Sequence, residues 1–179
     1  MKDGLFKTIL YTILGIGIMT ALMTLTSITT PIEGVYIQLA YGYLALFAGV
    51  AGAIPAAIVG FTGHVLFDLI YTDHLWLSWA ISTGALGFVF GFAIRRKSLR
   101  QGVFSQHDMI RFNVVQAVVN IAIFGLIAPT LDVLFYQQST TIVFTQGWIA
   151  SIVNLLTVAV FGTITLKLYA NYKLKQNKQ

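Results

Sequence analysis

A chain of 179 residues that is 57% hydrophobic and 9% charged, with mean hydropathy +0.81, is not a soluble domain, whose charged share is about 25%. It has no cysteine, which excludes disulfides, thiolate metal sites and cysteine nucleophiles. The net charge of +5 does not signal nucleic-acid binding, because all eleven Lys and Arg fall within residues 2–7, 95–111 or 167–178.

A cation at the centre of a bilayer costs about 2.5–3.5 kcal/mol on insertion scales, so cations collect in cytoplasmic loops. The expectation is an all-α integral membrane protein of the cell membrane. It is read as one transmembrane domain over 1–179, with six spans, both termini cytoplasmic and no room for a soluble catalytic domain. The spans read as 6–27, 37–52, 54–72, 76–94, 109–128 and 146–170.

The first span follows Lys2 and Lys7 as a signal peptide would. Its apolar run continues to about Leu25 without an A-x-A site, so a retained span is expected. Gly17 and Ala21, flanked by Gly15, form a small-residue stripe that permits close helix approach in lipid. Packing within the bundle and contact with another chain both stand open.

An outer loop at 28–36 leads to a short second span, which shares a tight turn at Gly52 and Pro55 with the third. The third span carries His64 and Asp68 one turn apart on one face. A carboxylate in an apolar span needs a partner or water. The pair could hold a substrate, relay protons, or satisfy each other and the neighbouring backbone. No other histidine lies at the same depth to build a zinc site.

After a second outer loop at 72–76, Trp76 and Trp79 open the fourth span, as interface anchors or as the aromatic wall of a pocket. The basic run Arg95, Arg96, Lys97, Arg100 is the cytoplasmic loop before the fifth span. That span carries Asn113, Gln116 and Asn120 as one polar stripe facing the bundle interior, and is expected to end at Ala128-Pro129. The third outer loop then runs over 129–145. Glu33, Asp73 and Asp132 are the outer-loop acids.

The sixth span places Gln146 at its outer end and Asn154 at the depth of Asn120. His64, Asp68, Asn120 and Asn154 are expected to converge in the outer half beside Trp76 and Trp79, with Tyr41 and Gln146 added to the same ligand site. No phosphate-binding loop, G-x-S-x-G or H-E-x-x-H is present, so no catalytic set or metal site is assigned.

The run Phe112-Asn113-Val114-Val115-Gln116, then Asn120, Ala128-Pro129-Thr130-Leu131-Asp132 and Val143-Phe144-Thr145-Gln146-Gly147, resembles the substrate-binding S components of energy-coupling factor (ECF) transporters. More narrowly, it looks like the riboflavin-type family and its branch of about 180-residue proteins; Tyr43-Leu44-Ala45-Leu46, Gly63-His64 with Asp68, and Trp76 with Ser78-Trp79 also fit. The resemblance implies a six-helix bundle with a vitamin-sized pocket near the outer surface and no ATPase activity of its own. It implies a transmembrane coupling protein and two cytoplasmic ATPases as partners, with ATP used by those partners, no covalently bound cofactor and a vitamin as cargo. Gly17 and Ala21 match the family's docking motif, glycine replacing the usual alanine at the first place.

Three departures lie toward the outside: Thr30–Tyr36 in place of an Asn-rich loop, Phe67 in place of a common lysine, and Thr72-Asp73-His74-Leu75-Trp76 in place of a Gly-Ser-Pro-Trp-like turn. They suggest a bulky, mostly uncharged ligand, cobalamin first and riboflavin second. The competing readings are a self-contained proton-coupled carrier using His64 and Asp68, a membrane enzyme, and a structural assembly subunit.

Overall fold

The computed structural model describes residues 2–72 and 74–179; Asp73, expected among the outer-loop acids, lies outside them. The chain forms α1 (Lys2–Leu25), a hairpin of β1 (Ile28–Thr29) and β2 (Tyr36–Ile37), α2 (Ala40–Ala51), α3 (Ala53–Tyr71) and α4 (Leu77–Ala93). A short α5 (Arg96–Arg100) precedes α6 (Gln106–Asn120), which passes through a π-helical stretch, π1 (Ile121–Ile127), into α7 (Ala128–Tyr136). The last helix is likewise interrupted: α8 (Thr140–Thr157), π2 (Val158–Gly162) and α9 (Thr163–Gln176).

The architecture is all-α apart from the antiparallel hairpin, in which Ile28 pairs with Ile37 and Thr29 with Tyr36. Among the described residues, four helical segments are long and apolar enough to cross a membrane: Phe6–Leu25, Ala53–Tyr71, Gln106–Tyr136 and Thr140–Gln176. The apolar helices α2 and α4 are shorter, at 12 and 17 residues. A 12-residue helix rises only about 18 Å, less than the hydrocarbon thickness of a bilayer.

The fifth apolar segment does not end at Pro129. Proline lacks the N–H that an interior helical position donates, and Pro129 stands directly after the π-helical stretch, where the register of backbone bonds changes. The wider π turn before it carries the chain through without a break. The helix therefore continues to Tyr136 and stops where Gln137 takes a left-handed conformation, φ 52°. The third outer loop shrinks from the expected 129–145 to residues 137–139. Asp132 moves with it, from a loop to a buried helical position.

Large apolar side chains cover the outside of the bundle: Phe6, Ile13, Leu25, Leu69, Phe92 and Leu134 are all well exposed. Such a surface is stable against lipid tails and not against water. Inside, the helices approach through small residues, as they must where lipid supplies no hydrophobic drive. A Cβ at Gly60 would lie 2.6 Å from the Thr83 carbonyl, and one at Gly87 2.9 Å from the Ala56 carbonyl carbon, so α3 and α4 meet nearly backbone to backbone. Gly15 is buried against Phe47 and Val59, and Gly63 against Met19, which seats α1 on α2 and α3.

At the end nearest α5, Arg96 and Arg100 both donate to the Val50 carbonyl, at 3.1 and 2.9 Å, and so cap the C-terminus of α2. A capping box between Ser105 and Asp108 starts α6. Asn113 donates to Thr163 Oγ1 at 2.9 Å, and Gln116 to the Leu155 carbonyl at 3.3 Å. These two members of the polar stripe therefore tie α6 to the last helix.

Candidate ligand-binding site

At the opposite end the helices open onto a cavity of about 640 Å3, within the usual range for pockets that enclose a small molecule. The hairpin supplies Glu33 to Tyr36, α3 supplies His64, Phe67, Asp68 and Tyr71, and the α3–α4 turn supplies Trp76. Tyr41 on α2, Trp79 on α4, Asp132 on α7, and Gln146 and Asn154 on α8 complete the wall. The 3.6-residue period explains the α3 contribution: His64, Phe67, Asp68 and Tyr71 occupy one face.

Asp68 is buried, and its Oδ2 accepts the Trp76 backbone N–H at 2.9 Å. Its Oδ1 lies 3.6 Å from His64 Nε2, beyond hydrogen-bond range. His64 Nδ1 is 2.8 Å from Thr83 Oγ1, and that hydroxyl donates to the Trp79 carbonyl at 3.0 Å. Threonine has one hydroxyl proton. With that proton on the carbonyl, His64 Nδ1–H is the donor to Thr83, and the neutral ring presents a bare Nε2 toward Asp68. In this tautomer the two side chains do not hydrogen-bond each other; Asp68 is held by the Trp76 backbone and His64 by Thr83.

Asp132 is the residue the sequence reading missed as a site component. It is almost fully buried, accepts the Ser78 hydroxyl proton, and accepts Trp79 Nε1–H at 2.8 Å. The Trp79 ring stacks on Phe124 at 5.8 Å, and Phe124 meets Tyr41 edge-on at 5.6 Å. On the other wall Phe67 and Tyr71 stack at 5.1 Å, with the Tyr36 ring edge-on to both. At the mouth, Gln146 donates to the Glu33 carbonyl at 2.9 Å, and the Tyr136 hydroxyl accepts the Leu77 N–H at 3.0 Å. The hairpin and the α7 end are thereby pinned over the opening.

His64, Asp68, Trp76, Trp79, Tyr41, Gln146 and Asn154 all line this one cavity. Asn120 does not. Its side chain folds back on its own helix, donating to the Gln116 carbonyl and to Gln116 Oε1, and is fully buried. The space behind Tyr41 and Trp79 is taken by Phe124 instead. Gly17 and Ala21 lie far along α1 on its exposed face, and a Cβ at Gly17 meets nothing within 4 Å.

The family model described as ECF-type riboflavin transporter, S component, matches residues 5–171. The chain belongs to that family. An S component is a membrane-embedded transporter subunit of vitamin-binding type, not itself an enzyme, and associates with an ECF transporter module. This S component is 41% identical over 175 residues to a UPF0397 protein of Lactococcus lactis subsp. cremoris, covering 98% of this chain and 96% of that one. It is 38% identical over 177 residues to a UPF0397 protein of Enterococcus faecalis, covering 98% and 97%. A third relative, from Lactobacillus acidophilus, is 40% identical over 163 residues, covering 91% and 88%. No solved structure matches the chain.

Proposed function

We propose that this chain is the ligand-capturing subunit of an ATP-driven vitamin importer, binding its cargo in the cavity between the hairpin, α3, α4 and α8. Family membership supports the transporter role, and the cavity beneath the pinned hairpin is the observation that carries the binding role. The ligand contacts fall to Tyr41, His64, Asp68, Trp76, Trp79, Gln146 and Asn154. Asp132 acts by holding Trp79.

The six-span topology with cytoplasmic termini completes this reading: α2 and α4 join the four longer segments as short spans, and the cavity then opens outward. Ligand enters when the Gln146–Glu33 tie releases the hairpin, and is enclosed when it re-forms. Delivery inward follows docking of the exposed Gly17/Ala21 face on a transmembrane coupling protein, with two cytoplasmic ATPases supplying the energy. Of the two ligands named from sequence, size now favours riboflavin. A cavity of about 640 Å3 suits a drug-sized molecule, and a corrinoid is far larger unless the hairpin lifts away.

The test is direct. Mass spectrometry of the purified chain should find a heterocyclic small molecule, and vitamins added to the emptied protein should quench its tryptophan emission. A protein that co-purifies with nothing and responds to no vitamin would sink the proposal. Uptake into proteoliposomes should require the ATPase partners; uptake driven by a proton gradient without them would instead establish His64 and Asp68 as a proton relay.

A further inference from the structure

The cavity wall has a one-sided charge. Glu33, Asp68 and Asp132 all contribute to it, while its only basic side chains among the described residues are His64 and His74. The sequence explains why: the nearest lysine or arginine to any of these segments belongs to one of the three cation bands, at the other end of the spans. The opposing acids are not equivalent. Both oxygens of Asp132 are occupied, by Ser78 and Trp79. Asp68 spends only Oδ2, on the Trp76 N–H. Its Oδ1 and the bare His64 Nε2, 3.6 Å apart, present two acceptors to one region, and neither is bonded to a donor among the described residues.

A second observation lies in the rings. Tyr36 and Tyr71 line the cavity together with Asp68, their rings in edge-on contact, and Phe67 stacks against Tyr71. Aromatic faces attract cations through their quadrupole, more strongly where water is excluded. Tyr36 senses the same field: desolvation first, then Tyr71 and the Glu33 and Asp68 carboxylates, push its phenol above the ordinary value. Position 67 of this wall is a phenylalanine and no lysine or arginine lines the cavity among the described residues, so the site lacks an internal cationic counter-ion.

We infer that the cavity selects an aromatic ligand bearing positive charge, with Asp68 Oδ1 as counter-ion and the Tyr36, Tyr71 and Trp76 rings as its walls. This rests on the ligand-binding reading above; it keeps the importer role and the size limit but sets a cationic aromatic ligand ahead of riboflavin, which is uncharged. A cationic nitrogen or its N–H fills the gap between Asp68 and His64 and supplies the donor both lack. A phosphorylated or carboxylated ligand meets three carboxylates and is rejected, and a neutral ring gains the stacking without the ion pair.

The experiment titrates the purified full-length chain, emptied of co-purified ligand, by calorimetry and tryptophan emission. The probes are matched sets: N-methylnicotinamide against nicotinamide, thiamine against its pyrophosphate ester, and riboflavin. Each cation should bind more tightly than its uncharged or anionic counterpart. Asp68→Asn should weaken the cation about tenfold or more, with Asp68→Glu restoring part of it. If Asp68→Asn does not fold, Glu33→Gln on the hairpin should still weaken the cation, and the order of the matched probes in the unaltered protein decides by itself. Tighter binding of the neutral or anionic member, or a folded Asp68→Asn protein with unchanged cation affinity, overturns this inference and leaves the importer reading intact. Failure of every probe, with no co-purified small molecule, overturns both.

Discussion

Asp132 shows how a single carboxylate can shape a binding wall without touching what binds there. Its two oxygens are committed to Ser78 and to the Trp79 indole, and the indole is in turn clamped from behind by Phe124. Hydrogen bonds to a charged group contribute about 1.5–3 kcal/mol, and an indole N–H left without a partner in a buried setting costs more than it would in water. In Asp132→Asn the amide can accept from one donor but turns its own N–H2 toward the other. We expect a loss of about 1–3 kcal/mol of stability in detergent, a shift in tryptophan emission, and roughly tenfold weaker binding. Wild-type emission and affinity in this variant would remove the positioning role. The residue was hidden in the sequence because Pro129 stands three positions before it and reads as a helix stop. His64 and Asp68 were legible for the opposite reason: a charged residue inside an unbroken apolar helix has no bland explanation on the surface.

At the level of elements, periodicity and charge located the helices but not their irregularities. The polar stripe of Asn113, Gln116 and Asn120 was correctly assigned to the interior, since a 3.6-residue spacing puts all three on one face. What it could not reveal is the π turn that begins at Ile121, because one extra residue in an apolar stretch leaves no mark on a hydropathy pattern. Phe124, inside that stretch, is the ring that meets Tyr41 and Trp79, whereas Asn120, just before it, bonds back to Gln116. Glycines were more informative. The α3–α4 contact depends on Gly60, where an added side chain would press on the Thr83 carbonyl at 2.6 Å. Thr83 also holds His64, so displacement of α4 there reaches the cavity. Gly60→Leu should lower stability by about 1–3 kcal/mol and weaken ligand binding together. A variant with normal melting in detergent and normal affinity would show that the two helices tolerate separation.

For the whole molecule, the decisive feature is that the cavity and the exposed α1 face do not overlap. Gly15 and Gly63 bury the inner side of α1 against Phe47, Val59 and Met19, whereas Gly17 and Ala21 look away from the bundle and Gly17 has open space around it. A tryptophan at position 17 therefore displaces nothing within this chain. Its effect can appear only where another helix must come close, because small-residue faces associate by van der Waals packing and a large side chain holds the partner off. Gly17→Trp and Ala21→Trp should bind ligand with unchanged affinity and melt normally. In vesicles that contain the complete importer they should lose most of their ATP-dependent uptake, and they should no longer co-purify with the coupling protein. The reverse pattern belongs to Asp68→Asn, which should assemble normally and fail to capture cargo. If Gly17→Trp transports at the wild-type rate, the docking face lies elsewhere on the apolar surface. If it loses ligand binding instead, α1 is coupled to the cavity through α3, and capture and docking are not separable in this protein.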